Sequence, residues 1–278
     1  MRSTRARRGI VSCILAASAL SLGGCNALQL KSTWRDREIT VDGASTEWEN
    51  AVTYVEKNAV AIGVLNDEEY MYICLAAPER QIAAQVVSGG LTVWFDPEGG
   101  KDKTFGIRFP LGMQQRGLSG DTRQGTREGR QEPKKLQSLL EDIGDEMELL
   151  GPKAAPLARL DIPSAQGIGI EVKLGQFQGS LVYELKVPLA RSGAHPYAIG
   201  AVAGKVIGLG FEAPKSERGE MRKGMGRRGG GMGGGPPGGG GFGGRPPGGR
   251  GGVASKMPEP LELRAKVKLA SEVLPVQK

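Results

Sequence analysis

Short runs in which apolar and polar residues alternate dominate the chain after its first 35 residues. Runs such as Ser180–Val187 and Leu261–Leu269 end at turn residues, which is the pattern of half-buried strands. Many short strands with few helices between them favour an all-β antiparallel sandwich of the jelly-roll kind over alternating strand and helix units. The pattern predicts about ten strands, at Glu38–Val41, Val52–Glu56, Ala59–Leu65, Glu69–Ala77, Leu91–Phe95, Thr104–Phe109, Ile168–Leu174, Ser180–Val187, Val206–Glu212 and Leu261–Leu269.

Two turn sequences connect neighbouring predicted strands. Asn-Asp-Glu at 66–68 follows the third strand, and Asp-Pro-Glu-Gly-Gly at 96–100 follows the fifth. Asn, Asp, Pro and Gly favour tight turns, because their side chains or backbones tolerate turn geometry. The sequence therefore predicts two antiparallel hairpins.

Two segments interrupt the strand pattern. Residues 113–156 begin with a polar stretch and contain the one clear helix candidate, Pro133–Leu140, for which a continuation to Leu150 after a break at Gly144 stays open. Residues 215–256 consist largely of glycine, arginine and proline, a composition too poor in apolar residues to hold a core. Because strands are predicted on both sides, we expect a long disordered loop between two strands of one sheet. Its length is tolerable, since loop-closure entropy grows only logarithmically.

The first residues have the pattern of an export signal. Four arginines among the first eight residues precede an apolar run from 10 to 22. This order is typical of a signal peptide, and about 13 apolar residues are fewer than the ~20 that a membrane-spanning helix needs. The run ends in Leu-Gly-Gly-Cys at 22–25, which resembles the bacterial lipobox. The sequence predicts a signal peptide over 1–24 and lipidation of Cys25, with an ordinary secretory signal and an unmodified cysteine as the alternative.

Lipid on Cys25 would make a membrane the first partner of the protein, since each buried CH₂ group contributes about 0.8 kcal/mol. In enterobacterial lipoproteins, an aspartate directly after the lipidated cysteine signals retention in the inner membrane. This chain has Asn26 at that position, so by analogy we expect a location in the cell envelope, with the outer membrane favoured. Residues 25–35 are interpreted as a lipidated tether and 36–272 as a single sandwich domain. Trp34 is expected to touch the membrane interface or the edge of the domain.

The formal net charge of +7 is unevenly distributed. The arginines of the signal peptide leave with it, and residues 215–256 carry nine Lys or Arg against Glu217 and Glu220. The rest of the mature chain is mildly acidic, at about −4. The arginine and glycine tract resembles segments that bind RNA, but export argues against nucleic acid as a physiological partner and leaves anionic lipid, cell-wall polymer or acidic glycan.

Several motifs occur in the order found in carbohydrate-binding modules of family 9 and related DOMON-like sandwiches. They resemble the opening strand with its Asp-Gly turn and tryptophan, a hairpin, the central strand and a late Tyr-Glu-x-x-x-Pro strand. The residues concerned are Ile39–Gly43 with Glu47, Trp48 and Ala51; Asn66–Asp67 with Tyr70–Tyr72; Leu91–Asp96; and Tyr183–Pro188.

This resemblance covers most of residues 35–270. It implies an antiparallel β-sandwich that recognises sugars through aromatic rings. It also implies calcium, whose ligands it does not assign to particular residues here, so the metal stays unknown and no other cofactor is expected. Some DOMON relatives bind haem through Met and His ligands. His195 is the candidate for that role, since it is the single histidine of the sequence.

Three side chains are the candidates for ligand binding. Trp94 alternates with Val93 and Phe95, so one of the two neighbouring rings points away from the core, and Trp94 is the best candidate for stacking on a sugar. Trp48 follows an Asp-Gly turn and either closes the core or offers a platform. Asp96 ends a strand and either caps the turn or binds calcium or a sugar hydroxyl.

The residue types that catalysis requires do not form a recognisable pattern. Cys74 lies in an apolar strand without a nearby histidine, so we predict a buried small side chain and not a nucleophile. Glu184 with Glu171 or Glu212 is the glycosidase alternative, but the alternation of Glu184 with Leu185 favours a solvent-facing carboxylate. The chain is therefore predicted not to be an enzyme.

The leading hypothesis is a lipid-anchored envelope protein whose sandwich binds carbohydrate without catalysis. The alternative is a structural or protein-interaction lipoprotein in which the basic glycine-rich loop makes the contacts. A glycan is the expected partner in the first case, and an envelope protein in the second.

Overall fold

The computed structural model describes residues 28–49, 51–112, 136–141, 143–214 and 259–272. The predicted signal peptide, Cys25 and the glycine-rich segment lie outside these ranges, as does the polar start of the insertion. The described residues form two sheets packed face to face with three short α-helices, which confirms an all-β sandwich. None of the described helices is long and apolar enough to cross a membrane.

The strands are distributed between a first sheet of seven strands and a second sheet of six. In chain order they are β1 (Leu28–Lys31), β2 (Thr33–Trp34), β3 (Val52–Val55), β4 (Val60–Asn66), β5 (Tyr70–Ala77), β6 (Gly90–Asp96), β7 (Phe105–Leu111), β8 (Glu146–Leu150), β9 (Pro156–Asp161), β10 (Glu171–Phe177), β11 (Ser180–Pro188), β12 (Val206–Ala213) and β13 (Leu261–Lys268). The helices are α1 (Arg80–Gly89), α2 (Leu136–Glu141) and α3 (Ile162–Gly167). The first sheet has the order β1-β13-β12-β6-β7-β8-β9, and the second has the order β10-β11-β5-β4-β2, with β3 also paired to β4.

The main core lies between the two sheets and is built by alternation along the strands. In β13 every second residue from Leu261 to Val267 is buried. In β5, residues on both faces of the strand are buried. Ile73 belongs to the main core, whereas Cys74 belongs to a second apolar cluster on the opposite face. The second sheet is therefore covered on its outer face as well, by the segment that precedes β3.

The first described segment pairs with both sheets. β1 pairs in parallel with β13 at the edge of the first sheet, and β2 pairs in parallel with β4 in the second. Between them, the Ser32 N–H donates to the Lys268 carbonyl at 3.0 Å. The predicted tether, 25–35, is thus partly incorporated into the sandwich, and both sheets are mixed and not purely antiparallel.

Nine of the ten predicted strands are confirmed to within a few residues, as are the two hairpins, β4 with β5 and β6 with β7. The strand predicted at Glu38–Val41 is wrong, because these residues pair with no strand. Ile39 is nevertheless buried and packs in the second apolar cluster. Since β2 and β3 already occupy the edge of β4, this segment crosses the face of the sheet and does not extend it.

The described part of the insertion contains α2 and β8, and β9 begins at its last residue. α2 lies near the end of the predicted helix, but the continuation to Leu150 is wrong, because β8 buries Met147 and Leu149 with the period of two that a strand requires. β9 pairs with β8. The helix α1, which the sequence did not predict, buries Ile82 and Val86 at helical spacing between β5 and β6.

Candidate functional site

Trp94 lies on the outer face of the first sheet, as its alternation with Phe95 predicted, but it is buried. Only 2% of its surface is exposed. Gly106 lies directly against the ring, since a Cβ at that position would lie 2.5 Å from the indole, and Lys103 Nζ lies 5.3 Å from the ring centroid. Because the ring is covered in this way, the face that was predicted to stack on a sugar is not accessible.

The polar edge of Trp94 belongs to an ion-pair network. Its indole N–H donates to Glu212 Oε2 at 2.9 Å, and Lys103 Nζ donates to the same oxygen at 2.7 Å. Arg264 forms an ion pair with the other carboxylate oxygen. Three donors therefore converge on one carboxylate, and this part of the first sheet is a closed network and not an open cleft.

Asp96 caps the turn that follows β6. It is 4% exposed, and its two carboxylate oxygens accept hydrogen bonds from the backbone N–H groups of Glu98 and Asp102, each at 3.0 Å. Within the described ranges, Asp96 belongs to no group of acidic side chains that could share a cation. This geometry fits the turn-capping alternative for Asp96.

Trp48 covers the centre of the outer face of the second sheet. It is 1% exposed and packs in the second apolar cluster with Tyr72 and Cys74. Gly63 lies beneath it, and a Cβ there would lie 2.5 Å from the indole ring. The indole N–H donates to Glu184 Oε1 at 2.7 Å. Trp48 thus takes the core position among its two alternatives.

Glu184 is a buried carboxylate held by donors from a distant segment. It is 1% exposed, and its Oε2 accepts hydrogen bonds from the backbone N–H groups of Asp42 at 2.9 Å and Gly43 at 2.7 Å. Burial raises the pKa of this carboxyl group, and the hydrogen bonds from Trp48 and the two backbone groups partly offset that rise. The predicted solvent-facing position is therefore wrong, because residues 37–49 cover this face.

Asp42, Glu47 and Glu184 bring carboxylate oxygens within 4.8 Å of one another. Both oxygens of Glu184 already accept hydrogen bonds, and Asp42 Oδ1 accepts one from the Ala44 N–H at 2.8 Å. The carboxylates of Asp42 and Glu184 therefore lie close together because the turn at Asp42 and Gly43 holds Glu184 in place. No calcium ligands are assigned from it.

The carboxylates of the catalytic alternatives are each engaged by other side chains. Glu184 and Glu212 lie on the outer faces of different sheets, and Glu171 forms an ion pair with Lys186 at 2.7 Å. Cys74 is fully buried, as predicted, and burial raises the pKa of its thiol. A buried thiol whose pKa is raised is a poor nucleophile.

An open cleft of about 670 Å³ lies at one end of the outer face of the second sheet. We call it the tyrosine cleft, because Tyr70 and Tyr72 of β5 form its floor beside Trp34 of β2. Its lining residues are Trp34, Arg35, Glu38, Ile39, Asp67, Glu68, Glu69, Tyr70, Tyr72, Lys186 and Glu272. Trp34 and Tyr70 are partly exposed, whereas Tyr72 is buried.

Asp67 organises one wall of the tyrosine cleft. Its Oδ1 accepts hydrogen bonds from the backbone N–H groups of Glu69 at 2.9 Å and Tyr70 at 2.7 Å, which fixes the turn between β4 and β5. Its Oδ2 accepts a hydrogen bond from Arg35 Nε at 2.7 Å and a longer one from the Tyr72 hydroxyl at 3.5 Å. One carboxylate therefore positions the turn, the guanidinium and a tyrosine together.

Two cations lie over the tyrosine rings. Lys186 Nζ lies 4.4 Å from the centroid of Tyr70, and Arg35 Cζ lies 5.5 Å from the centroid of Tyr72. Such contacts are attractive because the ring face carries partial negative charge. Since carboxylates also line the cleft, its walls offer hydrogen-bond donors and acceptors side by side.

His195 joins the tyrosine cleft to the loop after β11. Its Nδ1 lies 3.0 Å from the Ile168 carbonyl, which only accepts, so Nδ1 carries a proton. Its Nε2 lies 3.0 Å from the Tyr70 hydroxyl and 2.9 Å from Glu69 Oε1. The hydrogen bond with Glu69, followed by that with the Ile168 carbonyl, raises the pKa of His195. Both ring nitrogens are engaged, so neither is free to bind a haem iron in this arrangement.

The sequence did not identify the tyrosine cleft as a site. Tyr70 and Tyr72 were assigned only to a hairpin, and Trp34 to the edge of the domain or the membrane interface. The available signal was their spacing, because two tyrosines two residues apart share one face of a strand next to the Asp67 turn. That Trp34 joins them depends on the parallel pairing of β2 with β4, which no local pattern predicts.

The solved structures similar to this chain include two of a carbohydrate-binding module of family 9 from Caldicellulosiruptor kristjanssonii. The complex with glucose is 7% identical, over 68% of this chain and 78% of that chain, with a TM-score of 0.33. The complex with cellotriose is 9% identical, over 66% of this chain and 75% of that chain, with a TM-score of 0.32. No family model and no curated protein matches the sequence.

Proposed function

We propose that this protein is an exported lipoprotein whose β-sandwich binds carbohydrate, without catalysis, in the tyrosine cleft. The observation that carries the proposal is the combination, in one open cleft, of partly exposed aromatic rings with charged side chains that are already held in place. Ligand sites commonly combine an apolar surface with a few oriented polar groups.

The charges of the tyrosine cleft favour a neutral ligand with many hydroxyl groups. Arg35 is paired with Asp67, and Lys186 with Glu171, so neither cation is free to attract an anion. A hydroxyl group both donates and accepts, and therefore matches walls in which ammonium, guanidinium and carboxylate groups alternate. The half-buried ring of Trp34 adds an apolar surface suited to the face of a sugar ring.

The test is a glycan array followed by calorimetry on the mature chain from residue 25. Trp34→Ala should weaken binding by about tenfold or more, as expected when an aromatic anchor is truncated. Tyr70→Phe keeps the ring and removes the hydroxyl, which separates ring contact from hydrogen bonding. Tyr54→Ala is the matched control, because Tyr54 is 57% exposed on β3 and lies outside the cleft.

Glycan binding that is equally strong in Trp34→Ala and Tyr54→Ala would place the site elsewhere. A wild-type chain that binds no glycan of a broad array would overturn the carbohydrate proposal and favour the alternative, a structural or protein-interaction lipoprotein. In that case, deletion of residues 215–256 should abolish the capture of an envelope protein, while Trp34→Ala should not.

The lipoprotein part of the proposal is supported by the order of basic, apolar and small residues before Cys25. Cys25→Ser should abolish the incorporation of labelled palmitate and move the protein from the membrane to the soluble fraction of the cell envelope. Separation of inner and outer membranes tests the proposed outer-membrane location. A wild-type protein that remains unlabelled and soluble would contradict the lipid anchor.

A further inference from the structure

A row of lysines runs along the edge of the first sheet. In the parallel pair of β1 and β13, Gln29 lies opposite Lys266, and Lys31 lies opposite Lys268. All four side chains are exposed and alternate with buried residues, so they project from the outer face of the sheet. This face is opposite to the one that carries the tyrosine cleft.

The turn before β12 extends this row. Val206 lies opposite Lys268 in the antiparallel pair of β12 and β13, and the Lys268 ammonium group donates to the Gly204 carbonyl. Val202 is 53% exposed and Val206 is 41% exposed, so two apolar side chains accompany the lysines on this surface. We call this surface the basic edge; it consists of Lys31, Val202, Lys205, Val206, Lys266 and Lys268.

The lysines of the basic edge differ from the other cations of the same sheet. Lys103 and Arg264 are paired with Glu212. In contrast, no carboxylate of the described ranges lies within ion-pair distance of Lys31, Lys205 or Lys266. Their charge is therefore available to a partner, and that partner must be anionic.

The position of the basic edge indicates which partner this is. Leu28 begins β1, the outermost strand of the first sheet, and only two residues separate it from Cys25. Three residue steps span at most about 11 Å. A lipid on Cys25 would therefore hold the start of β1 close to a bilayer, and the basic edge begins on that same strand, with Lys31 three residues after Leu28.

We propose that the basic edge docks the sandwich on a bilayer that contains anionic phospholipid. The lysines attract the headgroups, and the two exposed valines enter the interfacial region among them, as apolar side chains within a basic surface do at membranes. The proximity argument rests on the proposed lipid anchor, but the docking itself does not require the lipid and is independent of sugar binding. Docking of this face directs the tyrosine cleft away from the membrane.

The test measures the binding of the unlipidated mature chain, Cys25→Ser from residue 25, to vesicles of phosphatidylcholine with and without phosphatidylglycerol. One variant combines Lys31→Gln, Lys205→Gln and Lys266→Gln. The charge-matched control combines Lys57→Gln, Lys153→Gln and Lys173→Gln, three exposed lysines away from the basic edge. All chains share the same residues 215–256, so differences between the two variants report on the described surface.

The variant of the basic edge should bind anionic vesicles on the order of a hundredfold more weakly than its parent, because each lysine near an anionic surface contributes about fivefold. The control should retain binding within a few fold of the parent, and high salt should remove the difference. Circular dichroism melting of both variants checks that they remain folded. Equal losses in the two variants, no loss in either, or a parent that binds soluble polyanions but not vesicles would overturn the proposal. These outcomes are independent of palmitate labelling and of glycan binding.

Discussion

The outer face of each sheet holds a buried tryptophan whose indole N–H donates to a glutamate, yet the two glutamates are held in different ways. On the second sheet, Glu184 accepts from Trp48 and from two backbone N–H groups. On the first sheet, Glu212 accepts from Trp94 and pairs with Lys103 and Arg264.

The kind of donor that holds each glutamate determines which outer face is covered by another part of the chain. Backbone donors belong to a chain segment that must itself lie on the sheet, so residues 37–49 cover Glu184 and exclude water. Side-chain cations reach Glu212 from β13 and from the turn before β7, and they remain 23% and 38% exposed, so this network stays charged and partly exposed. The covered face therefore depends on its glutamate to hold the covering segment, whereas the glutamate of the first sheet is held by Trp94 and by partly exposed cations.

The largest expected effect is that of Trp48→Ala, which should lower the free energy of unfolding by about 3–5 kcal/mol, since it empties a fully buried ring site above Gly63. Trp48→Phe keeps most of the ring and loses mainly the hydrogen bond to Glu184, so it should cost about 1–3 kcal/mol. Urea denaturation measures both. A cost below about 1 kcal/mol for Trp48→Ala would show that this ring does not hold the covering segment.

The second prediction compares the two glutamates directly. Glu184→Ala leaves three donors without their acceptor, of which the Gly43 N–H and the Trp48 indole N–H are buried, and should destabilise the protein by about 3 kcal/mol. Glu212→Ala should cost only about 1 kcal/mol, because Lys103 and Arg264 are partly exposed and can bind water. Denaturation of the two variants under the same conditions gives the comparison. Equal costs would remove the distinction between the two faces.

The third prediction concerns pH. Burial raises the pKa of the Glu184 carboxyl group above its ordinary 4.5, so its contribution to stability is present below about pH 4.5 and is lost as the pH rises through the raised value. Glu184→Gln lacks this titration. Relative to that variant, the wild type should lose stability as the pH rises from acid to neutral. A difference between the two proteins that does not change with pH would contradict this account.

The smallest expected effect involves His195 at the tyrosine cleft. Glu69 and the Ile168 carbonyl raise the pKa of His195 above 6.5, so the stability it contributes is present below pH 6.5 and is lost as the pH rises through the raised value. The contribution should stay below about 1 kcal/mol, because the Glu69 side chain is 62% exposed. Since the sequence contains one histidine, NMR titration measures this pKa without ambiguity. Glu69→Gln should lower it, and an unchanged pKa would show that Glu69 is not the cause.

Local alternation predicted most of the strands, because a period of two is a property of neighbouring residues. It also predicted correctly that Trp94 points away from the main core while Phe95 points into it. It did not predict the burial of Trp94, because Gly106 and Lys103, which lie against this ring, come from the neighbouring strand β7 and the turn before it. The same limit applies to Glu184, whose alternation with Leu185 indicated solvent, while a segment more than a hundred residues away buries it.

The candidate site was less predictable than the fold. The motif residues Trp48 and Asp96 were identified from the sequence, but both have structural roles in the described chain. The residues of the tyrosine cleft come chiefly from β2, the β4–β5 turn, β5 and β11, and they meet only after the sheet has formed. No local sequence pattern predicts which distant strands pair. A site whose residues come from such strands can therefore be identified only from the three-dimensional structure.

The parallel pairing of β1 with β13 has a consequence for the order of folding. Leu28 lies opposite Ala265, so the first of the described strands to be synthesised has the last of them as its partner. Contacts between residues so far apart in sequence form slowly, because a long loop must close first. Until β13 is available, β1 is a strand with unpaired N–H and C=O groups, of the kind to which other chains can add. A chain truncated before Leu261 would therefore lose the edge of the first sheet at both ends of the sequence, and the strand nearest Cys25 would be left without its partner.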